Sequence, residues 1–211
     1  MSPPRTEKEL IAGAAGAIEL AIQIPGAIHA IGVVAHPHPL FGGTMDNKVT
    51  TSLARALCDA GAITYRFNFR GVGKTEGEHD EGRGETDDML RVIAHARAAQ
   101  PDLPLWLAGF SFGGAVALAA SEKTEVTEMI LVAPAFRRLS HLLDATDSGA
   151  VPESTLLIHG EKDDTVPLQD SLDWARNRDV PVMVIPGADH FFHQRLHLIR
   201  QIAGRWLPAY L

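Results

Sequence analysis

The apolar residues of this chain fall into short runs and stripes that alternate along its length. Residues 17–24 read as a first strand, ended by Pro25-Gly26. Ala30-Ile31-Gly32-Val33-Val34-Ala35 is a continuous apolar run, as expected of a strand covered on both faces. Residues 47–60 carry Val49, Leu53, Ala56 and Leu57 on one helical stripe. Further strands are expected at 62–69, 105–110, 129–133, 155–159 and 180–185, and further helices at 85–99, 168–176 and 193–207. Gln100-Pro101 stops the helix at 85–99. Strands separated by helix-length segments imply βαβ units. They predict an α/β fold with a mostly parallel sheet and helices on both faces, a three-layer αβα sandwich. No internal repeat or low-complexity segment interrupts the pattern, so residues 1–211 are expected to form one domain. The loop at 71–84, rich in Gly and acidic residues, is expected to be mobile, with 144–153 a second soft stretch.

Composition narrows the functional classes. The 211 residues suffice for a sizeable core, and 45% hydrophobic with 21% charged residues is ordinary for a globular protein. A net charge of −7, with no Lys/Arg cluster longer than a pair such as Arg137-Arg138, argues against nucleic acid as a partner. Residues 1–10 are polar and charged, unlike a signal peptide, and no long apolar run suggests a membrane partner. The expected location is therefore cytoplasmic. Cys58, the one cysteine, cannot form an internal disulfide, and on its helix it reads as a small buried apolar residue.

The candidate chemistry centres on Gly109-Phe110-Ser111-Phe112-Gly113. This G-x-S-x-G lies between the apolar run Leu105-Trp106-Leu107-Ala108 and the small-residue run Gly114-Ala115-Val116-Ala117-Leu118-Ala119-Ala120. A serine on a sharp strand-to-helix turn is held strained and exposed, and flanking glycines leave room for the turn. The competing reading is an ordinary turn whose serine caps the helix. A serine nucleophile needs a histidine base and a carboxylate to orient it, in sheets of this type in the order Ser, Asp/Glu, His. The order is present. Gly160-Glu161-Lys162-Asp163-Asp164-Thr165-Val166-Pro167 follows the strand at 155–159, and Pro186-Gly187-Ala188-Asp189-His190-Phe191-Phe192 follows the strand at 180–185. Both lie at carboxyl ends of strands, where open α/β sheets place ligands.

Together with His36-Pro37-His38-Pro39-Leu40-Phe41-Gly42-Gly43-Thr44-Met45-Asp46-Asn47-Lys48 and Phe67-Asn68-Phe69-Arg70-Gly71-Val72-Gly73, these segments resemble the α/β-hydrolase superfamily. The nearest likeness is to small, cap-less bacterial hydrolases related to dienelactone hydrolases and carboxylesterases. The resemblance spans residues 18–207. It implies Ser111 as nucleophile, His190 as base and Asp163 as acid. The alternative acids are the neighbouring Asp164, and Asp144 or Asp147 after the strand at 129–133. Asp189, adjacent to His190, cannot easily reach its ring from a tight turn. The resemblance also implies an oxyanion hole built from the Phe112 N–H and a donor in the loop after the strand at 30–35. Related sequences often carry His-Gly-x in that loop. Here it reads His36-Pro37-His38-Pro39, and proline has no N–H, so the donor is His38 or, second, Leu40.

Three loop phenylalanines, Phe41, Phe136 and Phe191, are candidates to line an apolar substrate pocket. Gly73-Lys74-Thr75 lacks the rest of a phosphate-binding loop, because the first glycine position is Asn68 and no helix follows. The pairs His36/His38 and His190/His193 lack the third and fourth ligands of a metal site. His36 and His159 read as hydrogen-bonding residues at strand ends. The resulting expectation is a serine hydrolase acting on a small-molecule, short-chain carboxylic ester, without cofactor or metal and with oligomeric state open. Thioester hydrolysis, lactone opening or acyl transfer by the same triad are close alternatives, and a non-catalytic binding protein is the alternative of another class.

Overall fold

The computed structural model describes residues 5–143 and 151–208. Its centre is one eight-stranded sheet in the order β1-β2-β4-β3-β5-β6-β7-β8. The strands are β1 (Arg5–Gly13), β2 (Gly16–Ile24), β3 (Ala30–Ala35), β4 (Ala62–Phe67), β5 (Leu105–Phe110), β6 (Glu128–Val132), β7 (Ser154–Gly160) and β8 (Val182–Ile185). β2 runs antiparallel to β1 and β4, and all pairs from β4 through β3 to β8 are parallel. The helices are α1 (Lys48–Asp59), α2 (Arg83–Ala99), α3 (Phe112–Ser121), α4 (Leu168–Arg176) and α5 (Leu196–Trp206). Met89, Val92 and Ile93 of α2 and Val116 of α3 pack on one face of the sheet. Val49, Leu53 and Leu57 of α1 and Ile199 and Ala203 of α5 pack on the other. This is the expected αβα sandwich, and the stripe read from the sequence is the buried face of α1. Cys58 is buried on that helix. The β6–β7 connection, residues 133–153, is too short for a separate lid domain.

Three expectations are corrected. A strand precedes the one expected first: β1 pairs along its whole length with β2. As an edge strand it buries only Ile11, and charged side chains such as Arg5, Glu7 and Lys8 line it. Charge on an edge strand discourages pairing with other chains, and it also removes the apolar alternation by which strands are recognised. The closing helix starts at Leu196 rather than 193, because Phe192 and Gln194 have φ of 52° and 61°. The loop at 71–84 is tied down rather than loose. The Thr75 hydroxyl accepts from Glu19 N and donates to Asn68 O, and the Glu19 carboxylate accepts from Lys74 N. The Arg70 guanidinium forks onto Asp88 at 2.9 Å through both Nε and Nη2. Buried Glu85 accepts from Asp80 N and Gly82 N. Of the loop's own acidic residues, Glu76 accepts from Ala17 N and Asp80 from Gly84 N.

Candidate active site

β5 ends at Phe110 and α3 begins at Phe112, so the chain reverses at Ser111, which adopts φ 56° and ψ −116°. That is a costly conformation for a residue with a side chain, and persists only where the surroundings enforce it. The flanking glycines show how. A Cβ on Gly109 would lie 2.2 Å from Gly113 O, and one on Gly113 would lie 2.4 Å from His36 O. The Ser111 N–H donates to Val132 O on β6 and its carbonyl accepts from Ala135 N, pinning the turn to the neighbouring strand.

The Ser111 hydroxyl makes no capping bond to α3, which removes the helix-cap reading. It faces His190 Nε2 at 3.1 Å, and His190 Nδ1 lies 2.7 Å from Asp163 Oδ2. All three side chains are nearly or wholly buried. A carboxylate only accepts, so Nδ1 carries the proton and Nε2 presents its lone pair to the serine. Asp163 Oδ1 accepts from Thr165 N and Val166 N at 2.9 and 2.8 Å. Burial alone would raise the proton affinity of Asp163. Hydrogen bonds from His159, His190 and the Val166 N–H outweigh it and hold the carboxyl well below the usual range. The acid and base loops are clamped together by Lys162 N donating to Ala188 O and Gly187 N donating to Glu161 Oε2. Of the other carboxylates, Asp164 is exposed and Asp189 holds His193. Asp144 and Asp147 lie outside the described residues.

Beside the serine lies the His36–Gly43 loop. His36 is buried, its Nδ1 donating to Pro37 O and its Nε2 accepting from Phe69 N. Burial lowers its pKa from 6.5 to about 4, so the ring stays neutral and keeps that acceptor. The carbonyl of His38 accepts from Phe41 N and Gly43 N, fixing the turn. Of the two expected donors, the Leu40 N–H is directed at His38 Nδ1. Phe112, first residue of α3, carries an N–H that the helix cannot use. The His38 and Phe112 rings are 4.8 Å apart, so the two residues lie side by side. His79, missed in the sequence because its loop reads as a solvated acidic stretch, adds its ring 4.9 Å from His38, with Nδ1 2.8 Å from Glu85 Oε1.

The three candidate pocket residues separate. Phe191 is 47% exposed, packs edge-on to His190, and lines a cleft of about 380 Å³ with Gly42, Thr44, Asn47, His193 and Leu196. Phe41 is 78% exposed and rests on His38. Phe136 does not belong with them: it is buried and stacked on Trp174 at 4.3 Å, part of the core beneath α4. Among the described residues, no three His, Cys, Asp or Glu side chains are grouped to hold a metal ion, and no helix is long and apolar enough to cross a membrane.

Residues 40–147 match the family described as serine aminopeptidase S33. The chain belongs to this family. It is an α/β hydrolase. The matched stretch includes Ser111, and Asp163 and His190 lie beyond it. A Coxiella burnetii structure described as an α/β serine hydrolase homologue is 38% identical to the hydrolase, with a TM-score of 0.86 over 96% of this chain and 97% of that one. One from Xanthomonas campestris, described as an α/β serine hydrolase without lid, is 36% identical, with a TM-score of 0.88 over 100% and 99%. An uncharacterized protein of Rickettsia prowazekii is 30% identical to the hydrolase over 174 residues, 78% of this chain and 73% of the relative. With these relatives the chain is a serine-hydrolase-like, lid-less α/β hydrolase.

Proposed function

We propose that this hydrolase cleaves small or short-chain carboxylic esters through an acyl-enzyme formed on Ser111. The observation that carries the proposal is the continuous chain from Ser111 Oγ to His190 Nε2 at 3.1 Å and from His190 Nδ1 to Asp163 at 2.7 Å. As Oγ attacks the ester carbonyl, His190 Nε2 takes its proton, and the ionised Asp163 stabilises the imidazolium. The oxyanion that develops accepts from the N–H groups of His38 and Phe112, held in place by the turns described above. Collapse expels the alcohol, which leaves with the proton from Nε2. Water, deprotonated by the same nitrogen, then attacks the acyl carbonyl and frees Ser111.

The short β6–β7 connection supports small substrates, since nothing the size of a lid domain shelters a long chain. The exposed rings of Phe41 and Phe191 support an apolar acyl group at the rim of the site. A net charge of −7 and a single buried thiol fit action in the cytoplasm on a diffusible substrate. Purified protein assayed against matched esters, thioesters and lactones tests the substrate class, and ester turnover is expected to dominate. Ser111→Ala lowers p-nitrophenyl ester turnover about 10⁶-fold and Asp163→Asn about 10⁴-fold, by analogy with the subtilisin and chymotrypsin measurements. Substantial turnover by folded Ser111→Ala would overturn the proposal.

A further inference from the structure

His159, next to last in β7, is wholly buried and takes no part in the proton transfers above. Its two ring nitrogens have different partners. Nε2 lies 3.0 Å from Val166 O and 3.4 Å from Asp163 Oδ2, and Nδ1 lies 2.9 Å from Ser171 Oγ. A carbonyl oxygen only accepts, so Nε2 carries a proton directed at Val166 O, and Nδ1 is hydrogen-bonded to the Ser171 hydroxyl. The Val166 carbonyl thereby places the proton on Nε2, and Ser171, itself buried on α4, holds the plane of the ring. The Asp163 carboxylate is thus addressed on both oxygens: Oδ1 by the backbone of its own turn, Oδ2 by two imidazoles.

We propose that His159 is a positioning residue for Asp163, holding Oδ2 toward His190 Nδ1 through its shared Nε2–H. This rests on reading Asp163 as the acid of the triad. The physical case is one of anchorage. His190 comes from the loop after β8 and alternates between imidazole and imidazolium during turnover. His159 comes from β7, a strand paired on both sides, and its Nε2 proton is directed at Val166 O. It offers Oδ2 a donor that does not change with the catalytic cycle, and so keeps the carboxylate in plane when His190 changes charge.

The test compares wild type, His159→Leu, His159→Gln and Ser171→Ala in short-chain p-nitrophenyl ester hydrolysis and in the downfield proton resonance of His190 Nδ1–H. His159→Leu is expected to lower kcat about tenfold or more, with KM within about twofold, and to displace that resonance. His159→Gln, whose amide donates from the position of Nε2, restores kcat to within about threefold of wild type. Unchanged kcat and resonance in His159→Leu, or His159→Gln as impaired as His159→Leu, would overturn the proposal. Should His159→Leu not fold, Ser171→Ala decides: a loss of kcat with a displaced resonance supports it, and wild-type values of both overturn it. A fluorophosphonate keeps the two readings apart. Wild type unlabelled at Ser111 refutes the triad itself, whereas labelled wild type with an indifferent His159→Leu refutes only the role of His159.

Discussion

Gly113→Ala is the substitution in which fold and chemistry are most tightly joined. The added Cβ would sit 2.4 Å from His36 O and 2.6 Å from both the carbonyl carbon and oxygen of Ala35. Ordinary carbon contacts lie near about 3.5 Å, so the end of β3 and the start of α3 must part by about 1 Å. Both sides of that gap are backbone, with no flexible side chain to yield. The cost has two parts. Overpacking of this kind destabilises by about 1–3 kcal/mol, which for a chain of this size lowers Tm by roughly 2–12 °C. The second part is functional. β3 leads directly into His36 and the His38 turn, and α3 carries the Phe112 N–H. Parting them by about 1 Å widens the proposed oxyanion hole, and a misplacement of that size lowers kcat/KM by about 10²-fold. Urea unfolding and p-nitrophenyl ester kinetics on the same preparation measure both. A folded Gly113→Ala protein with wild-type kcat/KM would refute the argument that this contact sets the site.

Four further outcomes follow from the same structure. Gly204 lies within α5, exposed, and a Cβ added there would meet nothing within 4 Å, so Gly204→Ala should stabilise by about 0.5–1 kcal/mol in urea unfolding without changing kcat. His36 has a folded pKa of about 4 against an ordinary 6.5, so the unfolded chain takes up its proton first. Its contribution is complete above 6.5 and is lost as pH falls through about 4, worth about 3 kcal/mol that His36→Gln should not lose; parallel pH profiles for the two proteins would contradict this. Phe136→Ala, emptying a buried stacked position, should cost about 3–5 kcal/mol and leave the ester preference of the surviving folded protein unchanged. Phe191→Ala, at a half-exposed ring beside His190, should do the reverse: stability within about 0.5 kcal/mol of wild type, but an altered ranking of acyl chain lengths.

What was legible in the sequence was legible for identifiable reasons. β3 and β5 are covered on both faces, so every residue is buried and the apolar runs are unbroken. Ser111 was marked by its place between such a run and a small-residue helix, and Asp163 and His190 by following strands in the required order. β1 escaped because an edge strand with wet faces has no apolar period to read. The loop at 71–84 looked solvated because its ties to Glu19, through Lys74 N and the Thr75 hydroxyl, join partners more than fifty residues apart. Phe136 looked like a pocket residue because its loop position was visible and Trp174, the ring it stacks on, lies far along the chain. His79 and the orientation of His159 likewise depend on contacts between separate elements, which local spacing does not encode.

Ser111 is proposed as a nucleophile activated by His190. Incubation of the folded protein with a fluorophosphonate, followed by intact-mass and peptide mass spectrometry, tests it most directly. One adduct per chain is expected, located on Ser111, absent in Ser111→Ala and strongly slowed in His190→Gln. Folded wild-type protein that stays unlabelled, or that is labelled on a different residue, would contradict it.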